Sequence, residues 1–328
     1  MNDMTDRHIK GSLEQLQSLD LESKIMMTQA RIKAWYEHYD GNVYVSFSGG
    51  KDSTVLLHIV RSIYPSVDGV FCDTGLEFPE IREFVRTFEN ITWLKPSMNF
   101  KEVVNHYGYP MISKEVSQYI FEARTTKSEK VLNLRLHGRN NTNNGKIPEK
   151  WKFLVNAPFQ CSHMCCKIMK KNPSKKYEKQ TGKKPFIGTL ACESTLRKQA
   201  WIKHGCNAFN LSRPVSTPLS FWTEQDILKY IVDNHIEIAS VYGEIVNKNG
   251  IYVTTKEPRT GCMFCGFGCH IENPNRFERI KITHPKIYEF IMKPTENGGL
   301  GMKNVLDYIN QNLTNQIGDG MNNIRKFW

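Results

Sequence analysis

The chain has 328 residues, 40% hydrophobic content and a net charge of +11, as expected for a packed globular protein with one large domain or two modest ones. No run of 18 apolar residues occurs and the first residues are polar, so we expect neither a membrane span nor a secretory signal. Nine cysteines in such a chain favour a reducing compartment, so we expect a cytoplasmic protein whose cysteines bind metal or react rather than form disulfides.

Strands and helices are predicted to alternate in the first third of the chain. Apolar spacing predicts one or two amphipathic helices over Leu13–Tyr39, ended by Asp40-Gly41. The elements predicted after them are a strand (Val43–Phe47), a helix (Ser53–Tyr64), a strand (Gly69–Cys72), a helix (Glu80–Phe88), a strand (Ile91–Leu94) and a helix (Phe100–His106). Because such alternation is typical of βαβ units, the sequence predicts an α/β protein with a parallel sheet flanked by helices.

The pattern is less regular after residue 110. A helix is predicted over Ile112–Thr125, and Lys127–Lys150, rich in Asn, Gly and Lys, is predicted to be a mobile loop or insertion. A basic helix is expected to begin near Cys165 and to end by Pro173. The later elements are a strand (Lys184–Thr189) and helices (Glu193–His204, Thr223–Asn234 with a Thr cap, Pro285–Lys293 and Met302–Gln311).

These patterns divide the chain into three segments. They are an N-terminal helical segment (1–40), a main α/β domain (41–235, with a basic insertion at about 125–150) and a C-terminal segment (236–328) that contains cysteines and helices.

Positive charge is concentrated in residues 124–184. This stretch holds 16 of the 44 Lys and Arg residues and only three acids, whereas the rest of the chain is close to neutral. Such a block is typical of a surface that binds a polyanion, and the alternative is a solvated, lysine-rich surface. Trp151, Phe153 and Phe159 lie within it and could stack on unpaired bases, although burial in the core is the more frequent role of aromatic side chains.

A glycine-rich break separates the first predicted strand of the alternating region from its helix. In Val43–Arg61, VYVSFSGGKDSTVLLHIVR, backbone amides and a helix dipole would converge on an anion. The kinase-type loop G-x-x-x-x-G-K-[ST] does not fit, because Val45 stands at its first glycine and Asp52 at its magnesium-binding Ser or Thr. The alternative to an anion site is a plain glycine turn.

The stretch SFSGGKDS resembles the PP-loop of the ATP pyrophosphatases. The resemblance implies an adenine nucleotide alpha-hydrolase-like fold, binding of ATP with Mg²⁺, and attack on the α-phosphate to form an adenylate. On this basis Lys51, expected on an exposed loop, would stabilise the departing pyrophosphate. The nucleotide-binding residues implied here are Ser46, Ser48, Gly49, Gly50, Lys51, Asp52 and Ser53.

Two further stretches resemble the phosphoadenylylsulfate (PAPS) reductase branch of these proteins. Asp73-Thr74-Gly75, in VFCDTGLEFPE, follows a predicted strand, and ligands in such sheets bind beyond the carboxyl ends of strands. Gly188–Arg197, GTLACESTLR, resembles a strand followed by an arginine-bearing helix, so that Arg197 would bind a phosphate, although a lone arginine more often lies on the surface. The resemblance implies these catalytic residues: Lys51, Asp52, Asp73 and Arg197.

The paired cysteines resemble those of cluster-binding adenylylsulfate reductases. In that group, CC…CxxC holds a [4Fe–4S] cluster, and the matching residues here are Cys165, Cys166, Cys262 and Cys265. Four thiolates suit tetrahedral zinc equally well, and buried structural thiols are the remaining alternative. Cys161 and Cys269 are candidate reactive thiols, and Cys269 is also a candidate extra metal ligand. The cysteines assigned to the core are Cys72, Cys192 and Cys206.

One feature of the sulfonucleotide reductases is missing from the printed sequence. Those enzymes carry a nucleophilic cysteine in a C-terminal E-C-G-[IL]-H segment, whereas here no cysteine follows Cys269 and the tail reads GDGMNNIRKFW. Sulfate reduction would therefore need Cys269, or a partner protein, to supply the nucleophile.

Over about residues 40–285 the chain is similar to a CysH-like group of the PAPS reductase family in bacterial and phage genomes, near the DndC/SspD-type proteins of DNA phosphorothioation. The resemblance implies an ATP pyrophosphatase that adenylates an acceptor for sulfur transfer, and the basic block favours nucleic acid, DNA or tRNA, as that acceptor. It implies a cysteine desulfurase or other persulfide donor as a partner, with a homodimer as a further hypothesis. The alternatives are a phosphoadenylyl- or adenylylsulfate reductase, and a non-catalytic nucleotide- and nucleic-acid-binding module with structural zinc.

Overall fold

The computed structural model describes residues 11–318, so the sequence MNDMTDRHIK and the tail after Gly318 lie outside the described residues. The described chain forms two units that interleave along the sequence. Unit 1 contains residues 11–73, Glu77–Lys95 and Pro173–Thr260, and unit 2 contains Thr74–Leu76, Pro96–Asn172 and residues 261–318. The three-segment division at residues 40 and 235 stays a prediction.

The strands are short, with two to four residues each. In chain order they are β1 (Val43–Ser46), β2 (Gly69–Cys72), β3 (Ile91–Leu94), β4 (Met111–Ile112), β5 (Lys184–Ile187), β6 (Asn207–Ala208), β7 (Val215–Ser216), β8 (Ile245–Lys248), β9 (Ile251–Thr254) and β10 (Gly266–Phe267).

Unit 1 is built on a six-stranded sheet of order β3-β2-β1-β5-β7-β6. All neighbouring strands are parallel except β6 and β7, which are antiparallel. The central strand β1 is buried along Val43–Val45, as expected for a strand covered on both faces. The predicted α/β class with a mainly parallel sheet flanked by helices is confirmed.

Helices make up most of the remaining structure. In chain order they are α1 (Ser12–Gln17), α2 (Leu21–His38), α3 (Lys51–Ile63), α4 (Pro79–Arg86), α5 (Phe100–Tyr107), α6 (Lys114–Thr125), α7 (Glu129–His137), α8 (Met164–Cys166), α9 (Asn172–Thr181), α10 (Thr195–His204), α11 (Glu224–Asp233), α12 (Arg276–Thr283), α13 (Pro285–Met292) and α14 (Met302–Gly318).

Helix α3 connects β1 to the core of unit 1. It contacts β1 and β5 and buries an apolar side that includes Val55, Leu56 and Ile59. Helix α11, which also contacts α3, begins at the predicted cap, where Thr223 Oγ1 accepts a hydrogen bond from the Asp226 backbone amide (3.2 Å). The carboxyl end of β1 therefore leads directly into the N-terminus of a well-buried helix.

The segment predicted as a mobile loop, Lys127–Lys150, contains helix α7, so that prediction is wrong. Ser128 caps the helix, and Arg135 donates hydrogen bonds to Glu122 Oε2 (2.6 Å) on α6 and to the Gly145 carbonyl (2.8 Å). Ile147 is fully buried and donates its amide to the Arg135 carbonyl (2.8 Å). Composition alone did not indicate these tertiary contacts.

The basic helix after Cys165 does not end by Pro173, which is a second correction. A wider, π-helical turn over Lys167–Lys171 follows α8, and α9 then continues to Thr181. Pro173 is the second residue of α9 and directly follows the π-helical turn, where the regular hydrogen-bond pattern of the helix is already interrupted, so that a residue without an amide hydrogen is tolerated.

The C-terminal third contains strands that the sequence analysis missed. Strands β8 and β9 form an antiparallel hairpin whose turn, Asn249-Gly250, has positive φ at both residues (53° and 87°). Asn-Gly between two apolar runs is a strong hairpin signal, so this element was detectable in the sequence. By contrast, β4 and β10 of unit 2 pair in parallel although about 150 residues of sequence separate them, and no local pattern indicates such a pairing.

Unit 2 has a helical core that includes Ile120, Ile147, Phe277 and Leu306. Trp151 is 3% exposed, so the hypothesis that it stacks on bases is wrong and the alternative of burial is confirmed for it. None of the helices in the described part of the chain has the length and apolar character that crossing a bilayer requires.

Candidate functional site

The glycine-rich loop of unit 1 joins β1 to α3 through a tight turn. Gly49 has φ of 71°, and a Cβ there would lie 2.7 Å from Val85 Cγ2 and 2.9 Å from Ile81 Cγ2, so only glycine fits. Within the loop the Ser48 amide donates to Ser53 Oγ (3.1 Å), and Ser53 Oγ donates to the Gly50 carbonyl (2.9 Å). The loop is thus a preformed turn at a helix N-terminus, the geometry that binds anions.

The predicted nucleotide-binding residue Ser46 is half-buried at the end of β1. It pairs with Val70 of β2 on one side and with Ile187 of β5 on the other. Its position at the carboxyl edge of the sheet is the one expected for a residue that leads into a ligand loop.

Lys51 is 4% exposed, so the expectation of an exposed loop lysine is wrong. Its ammonium lies 3.1 Å from Glu224 Oε1 and 3.3 Å from Asp52 Oδ1. Burial lowers the pKa of Lys51, but the carboxylates of Asp52 and Glu224 outweigh that effect and hold the pKa above its ordinary value. Lys51 is therefore a fixed, permanently charged ammonium at the loop.

Asp52 is the carboxylate at the centre of this site. Burial raises its pKa, and the nearby charges of Lys51 and Arg259 oppose that effect. A buried carboxylate beside a loop that binds anions is costly unless cations surround it.

A tyrosine and a threonine that the sequence analysis missed contact the loop. Tyr242 is buried, its hydroxyl accepts a hydrogen bond from the Lys51 backbone amide (3.1 Å), and it lies 2.6 Å from Thr260 Oγ1. A Cβ on Gly50 would lie 3.3 Å from both hydroxyl oxygens. One of the loop amides that a phosphate would use is therefore already paired with a protein hydroxyl.

Arg197 and Arg259 share one carboxylate. Arg197 forms an ion pair with Glu193, and Arg259 Nη2 lies 3.2 Å from Glu193 Oε1. Burial and the charge of Arg259 lower the pKa of Arg197, whereas Asp52 raises it, so the loop carboxylate lies within range of these charges. The predicted Arg197 lies in this neighbourhood with Arg259 as an additional cation, and its role in binding a phosphate stays a prediction.

The predicted Asp-Thr-Gly stretch follows β2, and its residues are divided between the two units. Asp73 belongs to unit 1, where Arg82 Nη2 donates to its Oδ2 (2.8 Å). Thr74 and Gly75 belong to unit 2, where the Thr74 hydroxyl accepts a hydrogen bond from the Leu76 amide (3.2 Å). Their nucleotide-binding roles stay predictions.

Cys192 is exposed, so its assignment to the core is wrong, whereas Cys206 is buried as predicted. The Cys192 thiol donates a long hydrogen bond to the Trp222 carbonyl (3.8 Å). Burial of the sulfur raises the pKa of Cys192. The charge of Arg259 lowers this pKa, and the charges of Glu224 and Asp52 raise it further. An exposed thiol thus lies within electrostatic range of the loop residues of unit 1.

The four predicted metal ligands all lie in unit 2. Cys165 is buried and Cys166 half-buried on the short helix α8, with their sulfurs 4.0 Å apart. Cys262 and Cys265 are half-buried, and the Cys265 amide donates to the Cys262 carbonyl (3.2 Å). The two pairs are thus each held in a tight local turn.

The electrostatics of these thiols connect the two pairs. A hydrogen bond to Cys166, then burial, then the charges of Cys166, Cys265 and Cys262 raise the pKa of Cys165. The same hydrogen bond lowers the pKa of Cys166 to about 6, with help from Lys114 and nearby lysines. All four sulfurs therefore lie within electrostatic range of one another.

A buried arginine lies beside the CxxC turn. Arg276 Nη1 donates to the Cys265 carbonyl (2.9 Å) and to the Cys262 carbonyl (3.4 Å), and Arg276 also pairs with Glu272 (2.9 Å). Its charge lowers the pKa of Cys265, which burial raises to about 12. This guanidinium both shapes the turn and favours thiolates there.

Cys161 and Cys269 are both buried, and burial raises the pKa of each to about 12. Burial therefore disfavours the thiolate form that a reactive cysteine needs at both positions. The Cys269 thiol donates to the Cys265 carbonyl (3.4 Å) and so supports the turn.

Tetrahedral zinc and a [4Fe–4S] cluster place different geometric demands on the four cysteines. Among residues 11–318, no three His, Cys, Asp or Glu side chains surround one point closely enough to hold a single ion, which tetrahedral zinc requires. A cubane cluster is larger, and each thiolate bonds a different iron, so its ligands need not converge on one point. Two neighbouring pairs of thiols are a donor set that such a cluster takes.

Several known proteins are similar to this chain. Two uncharacterized proteins of Methanocaldococcus jannaschii, MJ0066 and MJ0973, are 42% identical over 84 residues and 25% identical over 265 residues. The matches cover 24% and 78% of this chain but only 18% and 49% of those proteins. Adenosine 5'-phosphosulfate reductase of Staphylococcus epidermidis is 24% identical over 269 residues, which is 80% of this chain and 86% of the relative.

Among solved structures, phosphoadenylyl-sulfate (PAPS) reductase from Candida auris in its phosphate complex matches with 15% identity and a TM-score of 0.37, covering 74% of this chain and 97% of that one. The family model described as phosphoadenosine phosphosulfate reductase domain matches residues 42–115 and 113–269, which together make up well over half of the sequence and contain both the glycine-rich loop and the four cysteines. The chain therefore belongs to the phosphoadenosine phosphosulfate reductase domain family.

Proposed function

We propose that this chain is a sulfonucleotide reductase that acts on adenylylsulfate or its 3′-phosphorylated form. One observation carries the proposal: the Lys51 ammonium lies 3.3 Å from Asp52 at the glycine-rich loop, and Arg197 and Arg259, which both pair with Glu193, add positive charge that acts on the same carboxylate. Such a group of cations suits a nucleotide with several anionic oxygens. The family match and the long alignment with a relative named adenosine 5'-phosphosulfate reductase support the choice of substrate.

In this proposal the residues of unit 1 bind the nucleotide and stabilise the leaving group. The loop amides and Lys51 would bind the phosphate that departs as adenylate, where negative charge develops. Arg197 and Arg259 would exchange part of their pairing with Glu193 for sulfate or phosphate oxygens. The chemistry requires a thiolate that attacks the sulfate sulfur, so that an S–S bond forms and the S–O bond breaks. AMP, or adenosine 3′,5′-bisphosphate from the 3′-phosphorylated form, leaves with the electron pair.

The nucleophile is then Cys192 or a thiol of a partner protein. Among the cysteines of residues 11–318, Cys192 alone is exposed, whereas Cys161 and Cys269 are buried. Reductive release of sulfite needs two electrons, which a dithiol protein such as thioredoxin supplies. The Cys192→Ser variant, with Cys269→Ser as its control, separates a protein-bound nucleophile from an external one.

We further propose that Cys165, Cys166, Cys262 and Cys265 hold a [4Fe–4S] cluster rather than zinc. When bound, such a cluster supplies redox-active iron. Arg276 holds the two CxxC carbonyls in place whichever metal is present. Iron, acid-labile sulfide and zinc assays on anaerobically purified protein test this assignment, and stoichiometric zinc without iron would overturn it.

The test of the main proposal is the product formed from each nucleotide. We expect sulfite from adenylylsulfate or its 3′-phosphorylated form with thioredoxin, no pyrophosphate from ATP, and loss of sulfite formation in Lys51→Ala. Pyrophosphate release from ATP without sulfite formation would overturn the proposal.

The second candidate is an ATP pyrophosphatase that adenylates an acceptor for sulfur transfer, as in DNA phosphorothioation or tRNA thiolation. The block of 16 Lys and Arg residues in 124–184 favours it, since a small sulfonucleotide needs no such surface. It would use ATP and Mg²⁺ at the same loop, with a persulfide donor such as a cysteine desulfurase as a partner. Pyrophosphate release from ATP that depends on added DNA or tRNA would favour this candidate. A nucleotide that stays tightly bound and unreacted would instead favour a non-catalytic binding module.

A further inference from the structure

A groove on the basic insertion of unit 2 has a volume of about 520 Å³. We propose that this groove binds the sugar–phosphate backbone of a nucleic acid. The side chains that line it come from one side of α7 and from the turn after it: Lys130, Asn133, Leu134, His137, Arg139 and Asn140. Its role is independent of which nucleotide reaction unit 1 performs.

The groove is a built part of the fold rather than a loose loop. Arg135 points away from it, where its guanidinium lies 4.0 Å from the centre of the Tyr119 ring and its charge is paired with Glu122. The turn after α7 closes through the Arg139 amide, which donates to the Asn144 carbonyl (2.9 Å). Gly138 has φ of 86°, and a Cβ there would lie 1.8 Å from the Thr142 carbonyl oxygen, so the turn requires glycine.

The positive charges of the groove are not compensated by the protein. Lys130 and Arg139 are exposed, and within residues 11–318 neither side chain forms an ion pair or hydrogen bond. By contrast, Arg135 pairs with Glu122, and Lys146 and Lys152 approach Glu149 (3.7 and 3.0 Å). The two cations that line the groove are therefore uncompensated, which leaves them available to phosphates.

The surroundings favour a nucleic acid over a lipid surface. Residues 124–152 contain eight Lys and Arg and two acids, so the groove lies within an extended basic stretch. The exposed large apolar side chains of the described chain all lie outside these residues, so this stretch offers nothing to insert into a bilayer. Asn133 and Asn140 add amide groups that donate to phosphate or to base edges, which a purely electrostatic lysine patch lacks.

The test is a salt titration of binding by the full chain. Fluorescence anisotropy would follow labelled single-stranded DNA, duplex DNA and tRNA between about 50 and 200 mM salt. The variant is the double change Lys130→Gln with Arg139→Gln. Its matched control is Lys286→Gln with Lys293→Gln, two exposed lysines of unit 2 outside the basic stretch.

We expect the groove variant to bind more weakly and to lower the slope of log affinity against log salt by about 1.4 on single strands, since each phosphate contact contributes about 0.7. The control should leave affinity and slope unchanged, and sulfite or pyrophosphate formation from free nucleotides should be the same in both variants. Weak binding of every nucleic acid at the lowest salt, an unchanged slope in the groove variant, or equal binding to anionic lipid vesicles would overturn the proposal. The reductase proposal is tested by the product formed from free nucleotides and this one by binding and its salt slope, so the two proposals fail separately.

Discussion

At the scale of single residues, the charge balance of Lys51 decides how an anion enters the loop. Glu224 is the first residue of α11, its side chain is 46% exposed, and it contacts the Lys51 ammonium at 3.1 Å. A negative charge is favoured at that helix N-terminus, and the Glu224 carboxylate competes with any phosphate for Lys51. The free protein therefore keeps Lys51 charged although it is buried.

The first prediction removes that competitor. Glu224→Gln should bind nucleotide about two- to fivefold more tightly, because a half-exposed ion pair contributes at most about 1 kcal/mol. Calorimetric titration with adenylylsulfate and with ATP measures the change, and Glu237→Gln, an exposed carboxylate of unit 1, is the control. Weaker binding in Glu224→Gln would mean that this carboxylate assists the ligand, for example through a metal, and does not compete with it.

At the scale of elements, one carboxylate connects α9 to the central strand of unit 1. Tyr44 of β1 donates to Glu178 Oε1 (2.7 Å), and Arg213 donates to both carboxylate oxygens (2.7 and 2.6 Å). Burial raises the pKa of Glu178, but the hydrogen bonds from Arg213 and Tyr44 outweigh it and the net pKa is lowered. The ionised carboxylate therefore holds the helix against the sheet.

The second prediction follows from the sign of that pKa shift. Because the pKa of Glu178 is lower in the folded state, its stabilisation is present above the unfolded value of about 4.5 and is lost as the pH falls through the folded value. Glu178→Gln should lower the free energy of unfolding by about 1–3 kcal/mol at pH 7, and by less near pH 4. Urea unfolding at both pH values checks this. Tyr44→Phe, which removes one hydrogen bond, should cost less, and equal losses at the two pH values would contradict the assignment.

The third prediction concerns the ordered insertion. Arg135 is the side chain that holds α7 to α6 and to the Gly145 carbonyl, so Arg135→Ala should free the turn from Gly138 to Lys146. We expect faster cleavage in this turn by limited proteolysis, with no change in Arg139→Ala, whose side chain has no such contacts. Unchanged cleavage in Arg135→Ala would mean that buried Ile147 alone is enough to order the segment.

At the scale of the whole molecule, unit 2 brings together segments that are distant in sequence. Cys165 and Cys166 precede Cys262 and Cys265 by about a hundred residues, yet the charges of the second pair act on Cys165. Four thiolates that lie close together repel one another when no metal is bound. A bound metal centre should therefore stabilise unit 2.

The fourth prediction tests that dependence. Cys262→Ser should lose the iron and should increase hydrogen exchange in residues 261–318 and around α8, because the ligands would no longer close the loop between them. Cys269→Ser should keep the iron, since Cys269 only supports the turn through the Cys265 carbonyl. Metal content and exchange measured by mass spectrometry give both readouts. Retention of the metal in Cys262→Ser would refute the ligand assignment.

Local patterns predicted most elements of unit 1. The strands Gly69–Cys72 and Ile91–Leu94 and the Thr223 cap were located correctly, because apolar runs, helix caps and glycine breaks act within a few residues. Helix α7 was missed because an Asn- and Lys-rich composition is typical of loops, and its order depends on Glu122 and on the buried Ile147 instead.

The sequence by itself determined the fold class, the glycine loop and the positions of the paired cysteines, because these depend on residue identity and spacing along the chain. Only the tertiary structure decided the environment of each side chain: that Lys51 is buried between two carboxylates, that Tyr242 and Arg259 belong to the loop, and that Cys192 is exposed while Cys269 is not. The physical reason is that burial, pKa and pairing arise from contacts between residues up to about 200 positions apart, such as Lys51 with Tyr242. A linear pattern contains no information about which distant side chains will supply them.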